Sequence, residues 1–171
     1  MTHITFDLET LGNGFNAPIV QIGAVKFDLE EVYDEFKVNM NWMSLTDYDF
    51  TIDYSTVLWW LSQTREAQDS IIDQGGALDI KKALNDFGRW IGVPEDYIYW
   101  SHATFDPVIL DNSYRKTGIR NPIPFRNQRD IRTLEHFAGR QSIENRGVSH
   151  DALDDAKFQA EYITLMLKKL Q

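Results

Sequence analysis

Two acidic residues two positions apart, Asp7 and Glu9, sit inside Thr5-Phe-Asp-Leu-Glu-Thr10, at the end of an apolar run that starts at Ile4. In an extended strand, residues i and i+2 share a face, with their Cα atoms roughly 6.8 Å apart. Carboxylates projected side by side repel unless a cation lies between them. Hard divalent ions such as Mg²⁺ and Mn²⁺ take oxygen ligands of this kind. A strand end fraying into a polar turn would tolerate the same two acids, so the pair acquires chemical meaning only where more carboxylates reach the same place. Asp106 and Asp155 are the candidates, and His150 lies five residues before the second of them. Each acid also has a bland reading. Asp106 suits the N-cap of a helix with Pro107 at its first position. Asp151, Asp154 and Asp155 suit the positive end of a helix dipole.

The elements that must position these groups can be read along the chain. Residues 11–18 form a loop with two glycines and a proline as breakers. Ile19 to Phe27 and Val32 to Met40 read as strands joined by the acidic turn Asp28-Leu-Glu-Glu31. Three successive strands predict a sheet whose first members pair antiparallel. Trp42 to Tyr54 has no clear period and is expected to wrap the surface. A helix starting near Ser55 as N-cap carries Leu58, Trp59, Trp60 and Leu61. Adjacent tryptophans point 100° apart on a helix, so one packs inward while the other reaches a partner, or both lie beneath an aromatic loop. They serve either as two structural tryptophans or as a stacking platform for a nucleobase.

A second amphipathic helix is predicted over Ala77 to Ile91, ending at Gly92-Val-Pro94. Tyr97 to Trp100 reads as a short strand leading into the Asp106 junction, and its helix ends before Gly118. Phe125 to Ile131 holds one more short strand, and a helix through Leu134, Phe137 and Ala138 stops at Gly139. Arg146-Gly147 reads as a turn. The last helix runs from about Asp151 to Leu170, with a stripe of Ala152, Ala156, Ala160, Ile163 and Leu167. Its alanines let it lie close on the sheet, with Asp155 hanging from its first turns.

The 171 residues, 43% of them hydrophobic, suit one domain over 1–171 with a full core. Met1-Thr-His-Ile running straight into a strand does not resemble a signal peptide, and no apolar run approaches the roughly 20 residues of a membrane span. Zero cysteines exclude disulfides and thiolate metal sites and suit a reducing cytoplasm. A net charge of −9 argues against a broad basic surface for duplex DNA. It is still compatible with nucleic acid, because two divalent ions would add about four positive charges to a carboxylate cluster.

Phe6-Asp-Leu-Glu-Thr10, Phe105-Asp106 and His150-Asp-Ala-Leu-Asp-Asp155 resemble, in order and spacing, the three motifs of the DEDDh exonuclease superfamily. The histidine five residues before the last aspartate resembles the histidine branch; the tyrosine branch carries its Tyr four before, where this chain has Asp151. His102 departs from the pattern, since many members carry Asn there. Within the superfamily, Leu58-Trp59-Trp60, Gln63, Glu66-Ala67 and Arg132-Thr133-Leu134 are most similar to the RNase AS-type exoribonuclease and phage exonuclease branch.

The resemblance implies an α/β, RNase H-like fold: a mixed five-stranded sheet flanked by helices. It implies two divalent ions, Mg²⁺ or Mn²⁺, with Asp7 bridging both, Glu9 and Asp155 on one and Asp106 near the other. His150 would be the general base. Thr10 and Leu11 would hold the 3′-terminal nucleotide, and Trp59, Trp60, His102 and Phe105 are further substrate-contact candidates. The implied activity is 3′-5′ hydrolysis of single-stranded nucleic acid from a free 3′ end to nucleoside 5′-monophosphates, RNA being favoured, in a cytoplasmic protein that could form a homodimer. The alternatives are a single-stranded DNA exonuclease of the same family and an inactive nucleic-acid-binding module. A purely structural Ca²⁺-binding protein would leave His150 without a purpose.

Overall fold

In a computed structural model, residues 2–144 and 147–171 are described. The chain opens with β1 (Thr2–Thr10), β2 (Ile19–Phe27) and β3 (Val32–Asn39). Helices α1 (Trp42–Leu45), α2 (Tyr54–Leu61), α3 (Arg65–Ile72) and α4 (Ile80–Ile91) follow. Strand β4 (Tyr97–Ser101) leads to α5 (Asp106–Thr117), β5 (Gln128–Asp130), α6 (Ile131–Ala138) and α7 (Ala152–Lys169). The five strands form one sheet in the order β3-β2-β1-β4-β5. The β1-β2 and β2-β3 pairs are antiparallel, as expected, while β4 joins β1 and β5 joins β4 in parallel.

Alternation along β1 divides its work between two faces. Ile4, Phe6 and Leu8 enter a core with Leu84 and Phe87 of α4 and Ile109 and Leu110 of α5. Thr5, Asp7 and Glu9 face the opposite way, where α7 crosses the sheet. On that side Val25, Phe27 and Trp100 pack with Ile131 and Leu134 of α6 and Ala156, Ala160, Ile163 and Met166 of α7. The alanine stripe allows the close approach, and so does a strand residue. A Cβ built on Gly23 of β2 would lie 2.1 Å from the backbone carbon of Ala152. A glycine inside a strand commonly marks such an approach of another backbone.

Several local expectations change. Asp53, not Ser55, caps α2: its side chain accepts from the Ser55 N–H. Helix α4 begins at Ile80 because the Asp79 carboxylate accepts from Lys81 N. Trp42–Leu45 is a single turn of helix inside the stretch read as periodless. Helix α3, capped by Thr64, lies in a stretch for which no element is expected from the sequence; it buries Ala67 and Ile71, one turn apart. Asp106 is the first residue of α5 rather than its cap; Phe105 holds the cap position without a side-chain bond. The last strand is confined to Gln128–Asp130, behind a turn of 3₁₀ helix at Phe125–Asn127. The turn expected at Arg146-Gly147 falls partly outside the described residues, at Arg146.

Gly23→Ala tests the helix-sheet contact. The added methyl overlaps backbone and not a movable side chain, so α7 must shift away from the sheet. The cost expected from overpacking is about 1–3 kcal/mol. A lower midpoint of urea unfolding with an unchanged slope would confirm it; wild-type stability would refute it.

Candidate active site

The three acidic motifs converge at the C-terminal ends of the parallel neighbours β1 and β4, the usual position of ligand crevices in parallel sheets. Strand pairing brings Asp7 and Glu9 to one face, and α7 lays Asp155 across them. Asp106 comes from the β4-α5 junction and is almost fully buried. Its Oδ2 accepts from the His102 N–H at 2.9 Å, so the carboxylate turns back over the loop instead of capping its helix. One ligand atom each from Glu9, His150 and Asp155 lie within 4.8 Å of one another.

Side chains outside the motifs hold this arrangement. Gln159, one turn beyond Asp155, donates through Nε2 to Asp7 Oδ1 at 2.7 Å. Its Oε1 accepts from the Thr5 hydroxyl at 2.8 Å, and both side chains are buried. Gln21, wholly buried on β2, accepts from Ala152 N at 2.7 Å and donates to the Ser70 carbonyl at 2.9 Å. It therefore ties the start of α7 to β2 and α3. Sequence reasoning missed both glutamines, although a glutamine inside an otherwise apolar strand, as in Ile19-Val-Gln-Ile22, was a usable signal.

His150 has φ 66°, a left-handed conformation that costs a non-glycine residue roughly 1–2 kcal/mol. The surrounding loop over-determines it. Asp155 Oδ2 accepts from His150 N at 3.0 Å, and Asp154 Oδ2 accepts from Val148 N at 2.9 Å. Asp151 caps α7 and pairs with Lys37 of β3. The imidazole is half-buried and stands edge-to-face against Trp59, with ring centroids 4.7 Å apart, and 6.2 Å from Trp60.

The adjacent tryptophans have separate tasks. Trp60 is buried, and its Nε1 donates to the Thr10 carbonyl at 2.9 Å, while Trp59 remains 41% exposed. Together with Leu8, Glu9, Thr10, Asn13, Thr56 and Phe105 they line a recess of about 470 Å³ beside the acids. Leu11 is buried in the apolar core and is not part of that lining. His102 lines a different opening, next to Asp7 and Asp155.

The charges in this cluster oppose one another. Burial pushes Asp7 well above the usual carboxylate range, and Asp106, Glu9 and Asp155 push it further, against the Gln159 hydrogen bond. Burial and then Asp155, Asp106 and Asp151 do the same to Glu9. Burial raises Asp106 to about 7 despite hydrogen bonds from the backbone, and it raises Asp155 against the His150 N–H. Four carboxylates resisting ionisation together form a hard-oxygen donor set that a divalent cation would relieve. Asp7, Glu9, Asp106 and Asp155 therefore fit such an ion chemically, with His150 near enough to act beside it.

The family described as the 3′-5′ exoribonuclease Rv2179c-like domain matches residues 2–167. The chain belongs to that family. No curated protein matches it. Among solved structures, E. coli exonuclease I in complex with a dT13 oligonucleotide superposes with a TM-score of 0.64 at 16% identity, covering 99% of this chain and 40% of that one. The nuclease domain of 3′hExo, a DEDDh family member bound to rAMP, gives 0.64 at 15% identity, covering 98% and 92%. This chain thus spans about 40% of the length of exonuclease I. Both likenesses show that this chain shares its fold with these nuclease domains. No helix among the described residues is long and apolar enough to cross a membrane.

The raised acids predict a pH-dependent metal-free protein. Each binds its proton more tightly when folded than when unfolded. Stability is then greatest below the ordinary carboxylate range and is lost as pH rises through the folded values, ending near 7 for Asp106. In chelator, the melting temperature at pH 5.5 is expected to exceed that at pH 8 by several degrees. Added Mn²⁺ is expected to remove the difference, and Asp7→Asn to shrink it. A metal-free melting temperature that is flat over this interval would contradict the electrostatic account.

Proposed function

We propose that this protein is a divalent-metal-dependent 3′-5′ exonuclease that acts on single-stranded nucleic acid and releases nucleoside 5′-monophosphates. The observation that carries this reading is the convergence of Asp7, Glu9, Asp106 and Asp155 with His150, beside a recess walled by aromatic rings. These carboxylates would hold two ions, Mg²⁺ or Mn²⁺, which when bound supply positive charge to the attacking and leaving oxygens of an in-line displacement. His150 takes the proton of the attacking water. Its backbone is clamped by Asp155 and its ring by Trp59, so the imidazole need not be ordered at the moment of reaction.

The 3′-terminal nucleotide occupies the recess. Thr10 borders it, its carbonyl held by Trp60, and Trp59 and Phe105 offer ring surface to the base. Leu11 supports Thr10 from the core, and His102 faces the neighbouring phosphate. A recess on one side of the acids would seat the terminal nucleotide, leaving the rest of the strand to run away from it. The family description favours RNA. Exonuclease I, with its dT13 oligonucleotide, is the reason to keep DNA as the alternative. An inactive binding module would retain the recess without needing all four carboxylates and His150.

A protein without cysteine suits the cytoplasm. A homodimer would account for the exposed Tyr54, Leu58 and Leu61, which share one face of α2.

His150→Ala is expected to lower the rate about 10²–10⁴-fold while Mn²⁺ still raises the melting temperature. Equal rates in variant and parent across the pH range would remove His150 from the mechanism. For the sugar, a ribo-oligonucleotide is compared with the same sequence carrying one 2′-deoxy residue at its 3′ end. An RNA-selective enzyme slows on the first cut and then recovers, because only the first sugar lacks the 2′-hydroxyl. Equal rates, with full-speed digestion of an all-deoxy strand, would assign DNA or indifference to the sugar.

A further inference from the structure

A second and larger opening meets the carboxylates from another direction. It is a groove of about 980 Å³ between α6 and α7, with Asp7 and Asp155 at its inner end. Its volume lies near the top of the roughly 300–1,000 Å³ typical of ligand sites. It shares no lining residue with the recess of Trp59 and Trp60, and the two meet only at the acids, Glu9 bordering one and Asp7 and Asp155 the other.

The wall of this groove away from Asp7 and Asp155 carries two arginines against one acid. Residues 120–146 hold six of the nine arginines and only three acids, in a chain of net charge −9. Elsewhere, Lys26, Lys37, Arg65, Lys82, Arg89, Arg115 and Lys157 are engaged in ion pairs with acids. Among the described residues, Arg120, Arg126, Arg129, Arg132 and Arg140 form none. Arg132 and Arg140 line the groove and are exposed. Its one acid away from the cluster, Glu135, already accepts the Tyr162 hydroxyl at 2.7 Å. His102 Nδ1 is buried in the wall without a hydrogen-bond partner. Phe158 presents a half-buried ring on α7, stacked on Tyr162 at 6.2 Å.

We infer that this groove carries the part of the strand lying 5′ of the scissile bond, with Arg132 and Arg140 contacting its phosphates and Phe158 meeting a base. Guanidinium groups match phosphate oxygens in pairs, and aromatic faces stack bases without regard to sequence. The inference rests on the exonuclease reading and deepens it, because it gives the strand a direction: 3′ end in the small recess, body of the strand along α6 and α7. It also makes the protein sensitive to substrate length despite its acidic surface, since the two arginines meet only the strand's 5′ part.

The test uses the parent and Arg132→Gln/Arg140→Gln, with 5′-labelled single strands of two, five and eight nucleotides. Hydrolysis is measured with Mn²⁺ as kcat/KM. Binding of the eight-nucleotide strand is measured by fluorescence anisotropy with Ca²⁺ across a salt series. Both side chains are exposed, so the double variant is expected to melt with the parent. The parent's kcat/KM is expected to climb from two to five nucleotides, and the variant's to climb much less. The salt slope of binding is expected to be shallower in the variant by about 1.4, or 0.7 for each phosphate that an arginine no longer neutralises. The same length dependence and the same salt slope in both proteins would overturn the groove assignment and leave the exonuclease reading intact. Absence of hydrolysis at every length, with the arginine-dependent slope present, would overturn the exonuclease reading and keep the groove as a strand-binding site.

Discussion

The burial of four carboxylates at one place, with repulsion added at Asp7 and Glu9, is the constraint that organises this molecule. Asp7, Glu9, Asp106 and Asp155 are each pushed toward the neutral acid by burial, and Asp7 and Glu9 also by their neighbours. Groups that repel will separate unless the scaffold cannot yield. Here they are mounted on three rigid supports: β1 between two paired strands, the β4-α5 junction, and the first turn of an 18-residue helix. The apolar core on both faces of the sheet supplies the stability that holds them together without a cation. The cluster is thus a strained site that a divalent ion would relax.

The position of α7 decides whether the site exists at all, because this helix brings Asp155 and orients the loop of His150. Three kinds of contact set it. Gly23 and the alanine stripe let backbone approach backbone. Gln21 and Gln159 fix the register through buried hydrogen bonds, one at the helix start and one against Asp7. Lys37 anchors the capping Asp151 to β3. A displacement by one helical residue would rotate Asp155 by about 100° and turn it away from β1. The buried glutamines are therefore matched to a single docking of the helix, as fully satisfied buried polar groups tend to be.

The adjacent tryptophans show how one short helix can serve both the acids and a ligand. Trp60 is inward and fixes the Thr10 carbonyl, the next residue after Glu9. Trp59 stands at the rim and touches the imidazole of His150. The geometry couples the wall of the recess to the orientation of the proposed base. Strain in the His150 backbone, offset by its N–H bond to Asp155 and by the Val148 N–H bond to Asp154 in the same loop, belongs to the same arrangement.

By itself the sequence determined the succession of strands at the start of the chain, their antiparallel opening and the identity of the acidic motifs. Local alternation, breakers and fixed spacing are properties of neighbouring residues, so they survive without coordinates. Strand β2 falls on Ile19–Phe27 as read, and α7 begins within a residue of Asp151. Helix α3 was left without an element although Ala67 and Ile71 are one helical turn apart, because eight mostly polar residues are a short window for such a pattern. The caps at Asp53 and Asp79 lay near the positions read but depended on which side chain could fold back. Only the tertiary structure decided that Asp106 turns to the acids and does not cap its helix, that Gln21 and Gln159 fasten α7, and that Trp59 and Trp60 part company. It also decided that the net charge hides an arginine-lined groove. The glutamine and tryptophan placements rest on hydrogen bonds between residues 50, 131 and 152 positions apart, and such pairings are set by how helices and sheet dock, which no local pattern encodes.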